Sequence, residues 1–245
     1  NIKTYNSVFN EFFSDINKRA IGSEGFSKNF KSYSDEFQIS FHGKEKSLSK
    51  KNHKNCFFTA PFYLIDKIGS NHYAGNRIIE TIDSAKKRVW ICAQHFHDLI
   101  SFDPDRETII NALYKKNSPS IEYKFLKQVP HSSLADKRRA GIAETLFKYV
   151  LRAKQRYNRL THDKFIIVDD ILIISTANYT TTQFAFGKRK MDYINKDKQK
   201  VRKIDNFSEV NGFAIIRNCP KKVMENYESH FNSLWETGQD IEINL

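Results

Sequence analysis

Cysteine is scarce in this chain of 245 residues: Cys56, Cys92 and Cys219 are odd in number and far apart, with no C-x-x-C pair and no histidine at zinc-ligand spacing. A disulfide framework and a structural zinc site are therefore not expected, and the thiols read as reduced and buried, as in a cytoplasmic protein. Glycine and proline are also few, at 9 and 5, and no linker rich in either divides the chain. The absence of a P-loop signature and of G-x-G-x-x-G argues against a nucleotide-fuelled activity. Long apolar runs are missing too. The longest, residues 165–174, is interrupted by Asp169 and Asp170 and is too short to cross a bilayer, and no secretory hydrophobic region opens the sequence. Acidic residues fall short of basic ones, 28 against 40, which leaves a net charge of +12. What the chain has in quantity is aromatic side chains, 20 Phe and 11 Tyr, far more than a sequence that cannot bury a core.

Residues 1–54 are polar and rich in Lys and Ser, with a helix expected at 5–16 and a strand at 37–41, and read as an accessory segment. Residues 55–245 read as one domain with a regular pattern. Helices are expected at 77–87, 107–115 and 220–235, and strands at 89–93, 121–126, 164–168, 171–174 and 212–217. This alternation predicts an α/β fold: a mixed β-sheet flanked by helices on both faces. The chain starts at Asn1 rather than Met, so further domains of a longer chain are expected.

The positive charge is concentrated. Nine Lys or Arg lie between Lys127 and Arg159 against Asp136 and Glu144, and eight between Lys188 and Lys203 against Asp192 and Asp197. In the first block Leu134, Ile142, Leu146, Tyr149, Val150 and Ala153 recur at roughly helical spacing, so its basic residues, Lys137, Arg138 and Arg139 among them, should line the outer face of a helix. The second block, with Lys188, Arg189 and Lys190, lacks periodicity and reads as a mobile loop. Two such blocks around one chemical stretch suit a phosphate backbone better than an arbitrary solvated face.

That stretch runs from Thr161 to Asn178. On a strand the period of two directs His162 and Lys164 to one face. Asp169 is odd-numbered and faces away, which makes it structural. Asp169-Asp170 between two apolar runs predicts a tight turn, so the second run returns beside the first and carries Thr176 and Asn178 back toward His162. An imidazole, an ammonium, a hydroxyl and an amide would then surround one oxyanion, with no carboxylate pair to hold a metal. Singly, each residue has a plainer role: a surface histidine, an edge-strand lysine, a turn asparagine. Their joint spacing is what carries the reading.

His162-x-Lys164, Asp169 after four residues, and then Ser175-Thr176-Ala177-Asn178 resemble the HKD motif of the phospholipase D superfamily, H-x-K-x4-D followed by G-S-x-N, with Ser175-Thr176 replacing Gly-Ser. Residues 77–91 resemble the opening helix and strand of that domain, and Ser208-Glu209 with Phe231, Leu234 and Trp235 its end. The likeness spans residues 71–240 and points to the single-motif bacterial endonuclease-like branch. It implies His162 as nucleophile or acid, Lys164 and Asn178 as phosphate ligands with Thr176 a weaker one, and Glu209 as the acidic residue that orients the imidazole. It also implies a phosphohistidine intermediate without cofactor or metal. Two imidazoles of opposite protonation are needed. The chain has one H-x-K-x4-D, so the resemblance implies a homodimer that supplies His162 twice, with help from His95 or His97 a lesser alternative. The substrate expected from the basic blocks is DNA, with RNA possible and no membrane. A lipid phosphodiesterase of phospholipase D type and a catalytically impaired nucleic-acid-binding module are the rival readings.

Overall fold

A computed structural model describes residues 55–59, 73–99, 107–128, 134–184, 190–194, 200–205 and 211–241. In chain order the elements are β1 (Cys56–Thr59), α1 (Tyr73–Asp83), β2 (Arg88–Ala93), β3 (Phe96–His97), α2 (Ile109–Lys115), β4 (Glu122–Lys127), α3 (Leu134–Tyr149), β5 (Lys154–Tyr157), β6 (Lys164–Val168) and β7 (Ile171–Ser175). There follow β8 (Tyr179–Thr180), α4 (Thr181–Phe184), β9 (Lys190–Ile194), β10 (Lys200–Asp205), β11 (Asn211–Ile216), α5 (Lys221–Glu236) and β12 (Gln239–Asp240). The accessory segment, its helix and its strand lie outside the described residues.

Eight strands form one sheet in the order β1-β11-β7-β6-β2-β4-β5-β12. Strands β2, β4 and β5 run parallel, joined through α2 and α3, while β6, β7, β11, β1 and β12 pair antiparallel. The sheet is thus mixed. The runs Val89–Ala93 and Phe165–Val168 are buried on both faces, which is why they read as continuous apolar stretches. Alternate residues go to opposite layers. Ile91, Phe125, Ile166 and Val168 meet Ile78 and Ile82 of α1, Leu113 of α2 and Phe147 of α3. Trp90, Phe165 and Leu172 meet Met224 and Phe231 of α5 on the other face, where Trp90 and Phe231 stack at 5.1 Å between ring centroids. The expected α/β sheet with helices on both faces is what forms.

Several local expectations change. Helix α1 ends at Asp83 rather than 87, because the backbone N–H groups of Lys86, Lys87 and Arg88 turn toward the Asp169 carboxylate. Helix α3 buries Ala140, Ala143 and Phe147, and leaves Ile142 and Tyr149 more than half exposed, so its inward face is rotated from the one the apolar spacing suggested. The chain leaves α3 at Tyr149, passes through Arg152 with a φ of 51°, and enters β5, a strand whose polar residues hid it in the sequence. The second basic block is not a plain loop. It contains the antiparallel pair β9–β10, in which Lys190 faces Asp205 and Asp192 faces Lys203. A register shift between Val201 and Lys203 breaks the period of two that would have revealed it. Of the thiols, Cys92 is buried and Cys219 only half-buried, since Cys219 stands at the margin of the sheet just before α5.

Candidate active site

Strands β2, β4 and β5 end at the edge of the sheet where β6 begins and β7 ends, since Ala93 pairs with Lys164 and Phe165 with Ile174. Open α/β sheets bind ligands beyond the carboxyl ends of their parallel strands, and His162 and Lys164 stand at that end. Thr161 is fully buried and donates its N–H to Asn158 O at 3.1 Å. Asp163 O accepts from Gln94 N at 3.0 Å, and Asp163 Oδ1 lies 3.2 Å from Nε2 of His230 on α5. Held on both sides, His162 itself is exposed.

Lys164 opens β6, half-buried, and its Nζ donates to His162 O at 2.8 Å and to Gln94 Oε1 at 3.3 Å. The ammonium is thereby tied to the segment that carries the imidazole. His162, Lys164 and Thr176 share the wall of one open cleft of 340 Å³. Asn178 follows two residues after Thr176, fixed between buried Ala177 and buried Tyr179, whose N–H donates to His95 O at 3.0 Å across the short β3–β8 pairing. Asn178 Oδ1 is buried with no hydrogen-bond partner, so that end of the amide is unclaimed by the protein.

The hydroxyls of Ser175 and Thr176 are already engaged. Thr176 Oγ1 donates to Asn211 Oδ1 at 3.1 Å and accepts from Gly212 N at 3.0 Å, while Ser175 Oγ donates to Ala177 O at 3.0 Å. The Thr176 bonds tie the end of β7 to β11. Asp169 lies at the far end of β6, in the turn to β7, with a φ of 52° and its carboxylate accepting from three backbone N–H groups at 2.8 to 3.0 Å. Partial burial pushes that carboxyl up, but the three donors and the Arg88 charge outweigh it and hold it below the usual range.

Of the expected nucleic-acid contacts, Lys137 and Arg138 are exposed on α3 and Arg139 is half-exposed. Glu209, Lys188 and Arg189 lie outside the described residues, as does the side chain of Lys190. One member of the first basic block is not a surface cation at all. Lys127 is 3% exposed and pairs with Glu144 of α3 at 2.7 Å, and Tyr157 donates its hydroxyl to the same carboxylate. His95 and His97 are buried at 8% and 6% exposed and do not line the cleft. Among the described residues no group of three or more His, Cys, Asp or Glu is placed to hold a metal. A further H-x-K, His42-Gly43-Lys44, has Ser49 in place of the aspartate and lies outside the described residues. Gln94, His230 and Tyr227, which completes the cleft wall from α5, had no signal in the sequence, because each reaches the motif from a distant element.

No curated protein matches this chain. Among solved structures it is similar to Nuc from Salmonella typhimurium, a phospholipase D family member, at 19% identity over 76% of this chain and 96% of that one, with a TM-score of 0.46. It is likewise similar to NucT from Helicobacter pylori, at 16% identity over 76% and 98% with a TM-score of 0.47. Phosphatidylserine synthase from Haemophilus influenzae Rd KW20 aligns at 15% identity over 80% of this chain and 40% of that one, with a TM-score of 0.45. The family model described as "Cardiolipin synthase, PLD-like domain" matches residues 78–235. That match takes in more than half of the chain, and with the H-x-K-x4-D segment inside it the chain belongs to the phospholipase D superfamily of PLD-like domains.

Proposed function

We propose that this protein is a nuclease that hydrolyses DNA phosphodiester bonds without a metal, through a phosphohistidine intermediate, in a site completed by a second copy of the chain. The observation that carries the reading is the exposed His162 imidazole on a segment pinned from both sides, with the Lys164 ammonium bonded to the same segment at the mouth of one cleft.

The chemistry needs two imidazoles. A neutral His162 attacks phosphorus, forming the P–N bond as the P–O bond to the leaving alkoxide breaks. The protonated His162 of the second copy gives that oxygen its proton. The now neutral second imidazole then takes a proton from water as the water oxygen attacks phosphorus, and the P–N bond breaks to return His162. Lys164 offsets charge on the non-bridging oxygens throughout, joined by the Asn178 amide after a half-turn that presents Nδ2. Glu209, two residues before β11 in the chain, is assigned to orient the imidazole. Thr176 keeps its hydroxyl in the β7–β11 junction and is a weaker phosphate ligand.

Nucleic acid is favoured as the substrate by charge. Helix α3 leaves the edge of the sheet at which His162 and Lys164 stand and returns to the opposite edge, so its first turns, with Lys137, Arg138 and Arg139, lie toward the edge that carries the motif. The cleft itself carries the ionisable side chains of His162, Asp163 and Lys164 in its wall, which an acyl groove would not. The test is cleavage of labelled single- and double-stranded DNA in excess EDTA, with His162→Ala beside the parent. We expect cleavage that persists in EDTA and falls at least about a thousandfold in the variant. No cleavage by the parent would overturn the reading. One observation favours a second reading, a nucleic-acid-binding module: both hydroxyls of Ser175-Thr176 are consumed within the protein. Binding that survives His162→Ala, from a parent that does not cut, would select it.

A further inference from the structure

The cleft that holds His162, Lys164 and Thr176 has a second end. Beyond His162, Lys164 and Thr176 its wall continues onto Phe165 and onto Tyr227 of α5. The Tyr227 ring stands edge-on to Phe165 at 5.0 Å between centroids, half-buried and continuous with the aromatic layer under α5. Asp163 sits at the same end, its carboxylate paired with His230. One cleft thus passes from cationic and polar groups to an aromatic wall with a carboxylate beside it.

A second phosphate does not suit the far end, because it would approach the Asp163 carboxylate. A lipid tail does not suit it either, since the wall is bordered by that charge. A flat, neutral, aromatic group with hydrogen-bond donors fits both features: it packs against the ring, and its N–H groups face an acceptor. We propose that this end of the cleft takes the unpaired nucleobase next to the scissile phosphate, with Tyr227 as the wall it packs against. The inference rests on the nuclease reading for the phosphate at His162. It adds that the substrate is single-stranded where it is cut, because a base held in its duplex stack cannot enter a cleft behind its own phosphate.

The test separates the base from the phosphate. In a His162→Ala background, which cannot cut, binding is measured by fluorescence anisotropy for oligothymidylate and for an abasic sugar-phosphate oligomer of the same length and charge. Tyr227→Leu is expected to weaken oligothymidylate binding about tenfold and abasic binding less than about twofold, as base–aromatic packing predicts. Tyr227→Phe keeps the ring and is expected to bind oligothymidylate within about twofold of the unaltered ring. Equal loss on both oligomers, no loss on either, or loss of oligothymidylate binding with Tyr227→Phe as large as with Tyr227→Leu would overturn the subsite. Failure of the nuclease reading is read separately, from cleavage by the parent: a parent that does not cut but shows the Tyr227-dependent preference keeps the base site and loses the reaction.

Discussion

Asp169 turns the chain from β6 to β7 in a left-handed conformation, with a φ of 52°, which a short polar side chain tolerates better than a branched or bulky one. Its carboxylate collects the N–H groups of Lys86, Lys87 and Arg88, more than eighty residues away in the chain, and so ties the hairpin that carries His162 to the entrance of β2. Asp169→Ala should destabilise by about 1–2 kcal/mol, lowering the melting temperature by about 5 °C. The pH dependence has a definite sign. A carboxyl held below its unfolded pKa of about 3.9 contributes stability that is fully present above that value and is lost as pH falls through the lower folded value. The difference in stability between the parent and Asp169→Asn should therefore be constant from pH 7 to about 5 and shrink toward pH 2, as read by denaturant unfolding. A difference that grows on acidification would contradict the assignment. His162 is the opposite case, an exposed side chain, so His162→Ala should leave the melting temperature within about 1 °C while removing turnover.

At the level of elements, the contact between α3 and the sheet buries the Lys127–Glu144 pair beside apolar Ala143 and Phe147. Burial pushes the Lys127 ammonium down in pKa while Glu144 pulls it up, and burial with the Glu144 charge pushes the Tyr157 hydroxyl up. The Lys127 Nζ also lies 5.7 Å from the Phe147 ring and 5.5 Å from the Tyr157 ring. Removing one partner strands the other. Lys127→Ala should cost about 3–5 kcal/mol, whereas Lys127→Met combined with Glu144→Gln should cost less than about 2 kcal/mol, because a neutral acceptor still meets the Tyr157 hydroxyl. Equal losses in urea unfolding of the two variants would mean that the pair matters through volume and not charge. On the other face α5 holds the sheet with Met224 and Phe231 and also reaches the site edge, where Tyr227 lines the cleft and His230 meets Asp163. One helix therefore both closes the core and shapes the proposed substrate channel.

For the whole molecule, the proposed reaction needs a second His162, and the described residues of one chain offer His95 and His97 only in buried positions away from the cleft and His230 paired with Asp163. Sedimentation equilibrium should give a mass of roughly twice 28.7 kDa. Mixing inactive His162→Ala protein into the parent should lower activity more than simple dilution does, because mixed pairs carry one imidazole. A fully active monomer would refute the shared site. The net charge of +12 acts at the same scale. Lys137→Gln with Arg138→Gln should weaken DNA binding on all sequences alike and reduce the slope of log K against log salt by about 1.4–1.8.

What was legible in the sequence was what depends on near neighbours. The apolar runs of β2, β6 and β7 and the Asp169-Asp170 turn announce themselves, because a strand buried on both faces must be apolar throughout and a two-residue turn must tolerate a left-handed residue. The order His162, Lys164, Asp169, Asn178 was legible for the same reason, as spacing along one hairpin. Only the tertiary structure brought Gln94 to Lys164 across seventy positions, Tyr227 and His230 of α5 to the cleft, and β3 to β8 beside Asn178. It also withdrew Lys127 from the basic surface and turned α3 so that Ile142 faces outward. Local periodicity sets the direction of a side chain relative to its own strand or helix, whereas the partner it meets depends on which distant element the sheet order places beside it.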